Sequence, residues 1–198
     1  MRTTWTFHNA EQLLFGRGAV GQLGEIAESL GTRRLLVITD KTLVDAGLVD
    51  QVRAPLAAVD IAVEVFDGGE PEPPLHAVND AIAMATESKP DLLLGLGGGS
   101  NMDIAKAVAV VMAHGGSVKD YAGDQIVPGP IFPLILMPTT AGTGSEVTAA
   151  SVLCDTDAGG KFGILSNHLR PKFAIVDPML TVSCPPKVTA ASGIDALT

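Results

Sequence analysis

The stretch from Asp91 to Lys106 joins a continuous apolar run, Leu92-Leu93-Leu94-Gly95-Leu96, to a helical pattern through Gly97-Gly98-Gly99. An apolar run bounded by such glycines reads as a buried strand, and the pattern behind it as a helix. Glycines at the junction let backbone N–H groups approach a ligand with no Cβ in the way. The helix start carries orphan donors and the positive end of the helix dipole. Together these make an anion seat, suited above all to phosphate. A tight strand-to-helix turn without a ligand would use the same residues, although a turn rarely needs three glycines in a row.

Further apolar runs lie at Leu35–Thr39, Ile61–Phe66, Leu134–Met137 and Ala174–Val176. Helical patterns fall between them at Val20–Leu30, Thr42–Leu56, Leu75–Ser88 and Asp103–His114. Strands that are continuously apolar and alternate with helices predict an α/β fold, a mostly parallel sheet with helices on both faces. Thr4–Phe7 and Gln12–Phe15 read as a short hairpin around His8-Asn9-Ala10. Asp67–Pro74 and Asp124–Pro133 are Pro/Gly loops at the sheet edge. Pro185-Pro186 followed by Lys187–Thr198 reads as a helix start, since proline is tolerated in a first turn.

The 198 residues are 46% hydrophobic and 18% charged, enough for a packed core. A net charge of −9 argues against nucleic acid and anionic membranes as partners. No apolar run approaches the roughly 20 residues that span a bilayer, and no signal peptide is evident. Cys154 and Cys184 form no metal-binding spacing and read as reduced thiols, which suits a cytoplasmic protein.

Other segments could carry chemistry. Gly16-Arg17-Gly18-Ala19-Val20-Gly21 fits the G-x-G-x-x-G pattern, and Asp40 lies 19 residues beyond Gly21. The run before Gly16 reads as a hairpin arm and not as a strand of a βαβ unit, so the Gly97 loop is the better phosphate seat. Asp40 ends the strand Leu35–Thr39, at the edge where open α/β sheets bind ligands. A carboxylate there would accept both hydroxyls of a ribose and repel a 2′-phosphate. An N-cap for the next helix would explain the same residue equally well. Pro138–Thr148 (PTTAGTGSEVT) crowds hydroxyls and glycines behind a strand. Hydroxyls both donate and accept, which suits phosphate, ribose or amide groups; part of the segment would also cap a helix. Gly144-Ser145-Glu146 lacks the flanks of a nucleophile elbow. His8, His76, His114 and His168 show no metal-ligand spacing.

Taken together, Gly97–Lys106 (GGGSNMDIAK), Pro138–Thr148, Asp177-Pro178-Met179-Leu180 and Gly193–Thr198 (GIDALT) match a known family in order and spacing. From about Trp5 onward the chain resembles the iron-containing (group III) alcohol dehydrogenases, within the wider dehydroquinate synthase-like fold. The resemblance implies a Rossmann-like, doubly wound cofactor domain over residues 1–184. Residues 185–198 would then start a helical metal and substrate domain that the chain otherwise lacks. It also implies site roles. Gly98, Gly99 and Ser100 would hold the pyrophosphate, and Gly97 and Asp103 of the same motif would also belong to the cofactor site. Asp40 would hold the adenosine ribose and favour NAD over NADP. Thr139, Thr140, Thr143 and Ser145 would line the cleft from adenine to nicotinamide, and Val152, Lys161 and Leu180 would complete the nicotinamide side. Glu72 stands where many relatives have asparagine or another polar residue near the cofactor, so its role is open. Asp195 matches the first ligand of a divalent metal, Fe²⁺ or Zn²⁺, whose histidine ligands would follow beyond residue 198.

The implied reaction is NAD- and metal-dependent interconversion of an alcohol with an aldehyde or ketone by hydride transfer. The chain represents its cofactor half and is expected to be inactive alone. A homodimer is expected, with Thr4–Phe15 as candidate interface. Two other classes stay open: a non-catalytic dinucleotide-binding module, and a metal-dependent lyase of the dehydroquinate synthase type.

Overall fold

The computed structural model describes residues 4–198. Its first strand, β1 (Gln12–Phe15), precedes α1 (Leu23–Ser29), β2 (Arg34–Ile38), α2 (Lys41–Asp45), α3 (Leu48–Ala57) and β3 (Ala62–Phe66). Next come α4 (Leu75–Ser88), β4 (Leu92–Gly97), α5 (Gly99–His114), β5 (Gly123–Asp124), β6 (Leu134–Pro138), β7 (Ala150–Asp155), β8 (Gly160–Leu165), β9 (Phe173–Val176) and α6 (Pro186–Asp195). Among the described residues no helix is long and apolar enough to cross a membrane.

Six strands form one sheet in the order β1-β9-β6-β4-β2-β3, every neighbouring pair parallel. Successive side chains of a strand face opposite sides, and β2 shows why both sides need cover. Leu35 and Val37 pack with α1 and α3, while Leu36 and Ile38 pack with α4 and α5. The doubly wound, Rossmann-like arrangement follows from that two-sided burial. The chain runs outward from β2 to β3, then returns to lay β4 on the other side of β2. The C-terminal ends of β2 and β4 therefore flank the point where the winding reverses, where open α/β sheets leave a crevice.

A second sheet, ordered β5-β8-β7, lies against α5. Strands β7 and β8 are antiparallel, and Leu153 and Ile164 join the same apolar cluster as α5. Only alternate positions of β7 are buried, so the continuous apolar runs that reveal the main sheet are missing here.

The hairpin expectation is corrected. Residues 4–10 form no strand, and β1 pairs in parallel with β9, Gln12 opposite Phe173 through Phe15 opposite Val176. A local apolar alternation cannot tell an antiparallel neighbour from a parallel strand far along the chain. The single helices expected at Val20–Leu30 and Thr42–Leu56 are each divided. A 3₁₀ turn at Ala19–Gln22 precedes α1, and Gly47, at φ 73°, separates α2 from α3.

Candidate functional site

Two cavities meet at the N-terminus of α5. The first, about 590 Å³, is lined by Asp40 after β2, Gly69 after β3, Gly98, Ser100 and Asn101 after β4, Thr139 and Thr140 after β6, and Leu180. The second, about 400 Å³, is lined by Glu72, Gly99, Ser100, Asp103, Thr143, Ser145, Val152 and Lys161. Ser100 borders both. Gly97 ends β4 behind them. Of the residues expected on one nicotinamide side, Val152 and Lys161 line the second cavity and Leu180 the first.

The glycine run is not explained by the turn alone. Gly97 has φ 145°, which disfavours a side chain, and a Cβ there would lie 2.3 Å from Asn101 Nδ2. Gly98 is different. Its φ of −78° and ψ of −175° suit any residue, and a Cβ would stand 3.6 Å from the nearest Thr140 atom. The fold therefore accepts a side chain at 98, and its absence leaves bare backbone facing the cleft. The first N–H groups of α5 have no acceptor within the helix, no side chain caps them, and the first turn holds no acid. Donors and dipole point to where the two cavities join.

Asp40 caps the following helix and also lines the first cavity. It is the N-cap of α2, with Oδ1 accepting from the Leu43 N–H at 3.1 Å. Its Oδ2 accepts from Asn101 Nδ2 at 2.7 Å. Each oxygen retains lone-pair capacity toward the first cavity.

Beneath the second cavity lies a buried ionic cluster. Lys106 is fully buried, and its Nζ donates to the Ala150 carbonyl (2.7 Å), Thr148 Oγ1 (3.0 Å) and Ser145 Oγ (3.3 Å). It lies 3.8 Å from Asp103 Oδ1. Asp103 accepts from Ser145 Oγ at 2.7 Å and from the Val152 N–H at 3.1 Å. Burial lowers the Lys106 pKa to about 8, against the pull of Asp103. Burial likewise raises the Asp103 carboxyl, against Lys106 and its hydrogen bonds. The pair ties α5 to the hydroxyl-rich loop and to β7, giving the cleft a fixed wall. Sequence reasoning missed Lys106 and Asn101. The signal for Lys106 was its place in α5, which is apolar all round from Ala107 to Val111 and therefore buried.

Glu72 and Lys161 form an exposed ion pair at 2.8 Å across the outer edge of the second cavity. Lys161 holds the Glu72 carboxyl below the usual range, and Glu72 raises the Lys161 ammonium. Glu72 sits at φ 52°, a left-handed conformation uncommon for a residue with a side chain.

The Gly16–Gly21 pattern serves another purpose. The fully buried Asp177 accepts from the Val20 N–H at 3.1 Å through Oδ2 and from the Met179 N–H at 3.0 Å through Oδ1. A carboxylate of the chain itself thus occupies the helix start that a phosphate would need.

Asp195 is the exposed last residue of α6 and borders neither cavity. Among the described residues no three His, Cys, Asp or Glu side chains converge to hold a metal ion. The residues of this chain alone do not make a metal site, because such sites want three or four ligands. Both cysteines are free thiols.

Comparison with known proteins agrees with this geometry. Residues 10–178 match the family described as iron-containing alcohol dehydrogenase. Long-chain-alcohol dehydrogenase 1 of Geobacillus thermodenitrificans is 49% identical over 186 residues, covering 92% of this chain and 47% of that protein. The crystal structure of a 1,3-propanediol oxidoreductase superposes with a TM-score of 0.94 at 36% identity, covering 98% of this chain and 51% of that one. Sulfoacetaldehyde reductase from Bifidobacterium kashiwanohense, solved in complex with NAD⁺, gives 0.87 at 36% identity, with the same coverage of 98% and 51%. The chain spans about half the length of the relatives it matches. With its first three motifs following strands of one parallel sheet and bordering one cleft, and residues 10–178 matching the family, this chain belongs to the iron-containing alcohol dehydrogenase family.

Proposed function

We propose that the chain is the cofactor-binding half of an NAD-dependent alcohol dehydrogenase acting on an alcohol or aldehyde. The observation that carries this reading is the uncapped start of α5 with a bare Gly98, placed between two cavities, one of which holds Asp40. A dinucleotide has the matching order: a ribose diol, a pyrophosphate, and a second nucleoside. The solved relative with NAD⁺ supports the choice of dinucleotide.

In this reading the pyrophosphate lies on the N–H groups of Gly99 and Ser100. Asp40 accepts the adenosine ribose hydroxyls and repels a 2′-phosphate. Thr139 and Thr140 face the first cavity, while Thr143 and Ser145 face the second. Val152, Asp103 and the Glu72–Lys161 pair bound the space for the nicotinamide end, with Leu180 an apolar wall of the first cavity. The bound nicotinamide supplies the hydride chemistry; the chain's part is to bind and orient it. Residues 1–184 form the cofactor domain, and 185–198 begin a second unit that leans over the cleft. A Cβ at Gly142 would come within 2.2 Å of the Ser192 carbonyl oxygen in α6. Asp195 is proposed as one ligand of a divalent metal completed by residues outside this chain. No chemical step is assigned to that metal, and the chain alone is expected not to turn over. A homodimer through residues 4–15 is part of the proposal. Its support is that β1 edges the sheet with Trp5, Phe7, Leu13 and Phe15 exposed.

Calorimetric titration with NAD⁺ and NADP⁺, with and without Fe²⁺ or Zn²⁺, tests the reading. Metal-independent binding that favours NAD⁺ is expected. Binding of neither dinucleotide, or robust alcohol oxidation by the chain alone, contradicts it.

A further inference from the structure

We propose that Asn101 is a positioning residue that makes Asp40 selective for an unmodified ribose diol. The inference rests on the reading of Asp40 as the ribose acceptor. Asn101 stands in the first turn of α5 and is only 3% exposed. Its Nδ2 donates to Asp40 Oδ2 at 2.7 Å and to the Leu96 carbonyl at 3.2 Å. Both partners only accept, so the amide must turn its nitrogen toward them. Both N–H bonds are then used, and the side chain spans the ends of β2 and β4 where the winding reverses.

The surroundings are shaped around this amide. A Cβ at Gly97 would lie 2.3 Å from its Nδ2, and a Cβ at Gly69 would lie 2.2 Å from its Oδ1. Gly69 is itself pinned, its N–H donating to the Thr39 carbonyl at 2.9 Å. Two loops are thus stripped to backbone on opposite sides of one buried polar side chain. An apolar residue would fill the same space without donors to satisfy, so packing alone does not call for an amide.

What the amide adds is a second hold on Asp40. Capping α2 fixes only Oδ1, through Leu43. With Oδ2 held as well, the carboxylate cannot rotate. Each oxygen has one donor already and keeps a free lone pair for one hydroxyl of a vicinal diol. A fixed carboxylate also loses little side-chain freedom when the diol arrives. A 2′-phosphate meets an anion that cannot swing aside, whereas without Asn101 the carboxylate turns about its cap and relieves the repulsion.

The test is a double-mutant cycle on dinucleotide affinity, measured calorimetrically with NAD⁺ and NADP⁺. The variants are Asn101→Ala, Asp40→Ser and the two together. Serine at 40 keeps an N-cap acceptor for Leu43, so the cycle isolates the carboxylate. Asn101→Ala is expected to weaken NAD⁺ about tenfold, the scale of one charge-assisted hydrogen bond, and to leave NADP⁺ unchanged or tighter. In the Asp40→Ser background it is expected to change the NAD⁺/NADP⁺ ratio by less than about twofold, whereas residues acting independently would show the same change in both backgrounds. Equal weakening of both dinucleotides, or an effect on the ratio that persists without Asp40, overturns the proposal. Should Asn101→Ala fail to fold by circular dichroism, Asn101→Ser runs the same cycle, its hydroxyl being too short to reach Asp40. A wild-type chain that prefers NAD⁺, with Asp40→Ser losing that preference and Asn101→Ala keeping it unchanged, defeats this inference alone. A wild-type chain that binds neither dinucleotide defeats the ribose reading and this inference with it.

Discussion

Replacing Lys106 by methionine probes the ionic cluster under the second cavity. Methionine fills a similar volume without charge. It leaves the Ala150 carbonyl, Thr148 Oγ1 and Ser145 Oγ without the ammonium donor, and Asp103 without its cation. Breaking a buried pair on one side costs about 3–5 kcal/mol. Two things soften that cost: Asp103 keeps its bonds from Ser145 and Val152, and the variant no longer buries an ammonium. A net loss of about 2 kcal/mol at pH 7 is expected. The sharper readout is pH. Burial brings the folded Lys106 ammonium down to about 8, against the ordinary lysine value of 10.5 in the unfolded chain. Between those values the unfolded state binds more protons, so wild-type stability rises with pH. The cost of burying the charge is fully present below pH 8 and gone above the unfolded pKa. Methionine has no such term. The gap between wild type and Lys106→Met should therefore widen by roughly 2–3 kcal/mol from pH 7 to pH 10. Urea denaturation at several pH values measures it, and taking the difference cancels the titrating groups that do not feel Lys106. A gap that stays constant with pH refutes the claim that Lys106 is a cation held against its burial.

Gly98→Ala should fold with an unchanged melting midpoint, since a Cβ there meets nothing closer than 3.6 Å. It should weaken dinucleotide binding at least about tenfold by filling the anion seat; retained affinity would favour a plain turn. Asp177→Ala removes the acceptor for both Val20 and Met179, and a loss of about 2–3 kcal/mol in urea unfolding is expected. Glu72→Gln breaks an exposed pair and should leave the melting midpoint unmoved, since screened surface pairs add little; a clear drop would mean the pair holds its loop in place. Asp195→Ala should change neither stability nor NAD⁺ affinity of this chain, and any shift in either would show that α6 already shapes the cofactor cleft.

How legible each part was follows from its burial. The strands of the main sheet are buried on both faces, so Leu92–Leu96 and Leu134–Met137 stand out as unbroken apolar runs. Strands β7 and β8 are buried on alternate positions or less, around polar residues such as Lys161, and nothing in their local pattern marks them. The parallel partner of Gln12–Phe15 lies beyond residue 170, which no local reading reaches. Within the cleft, glycines and hydroxyls were visible because their crowding exceeds what a turn or cap requires. Asn101 was hidden because an asparagine near a helix start looks like an ordinary cap. Only the fold brings it to Asp40, 61 residues away. Asp40 itself looked ambiguous between cap and ligand acceptor; in the structure one oxygen caps α2 while the carboxylate borders the first cavity, so the cap does not exclude the other role.

The most direct test of the central claim is a titration of the ¹⁵N-labelled chain with ADP-ribose, following every backbone amide. The account predicts saturable shifts largest at Gly98, Gly99 and Ser100, with a second group at Asp40 to Leu43. Shifts centred on Gly16–Gly21, or none at Gly98–Ser100 at saturation, would contradict it.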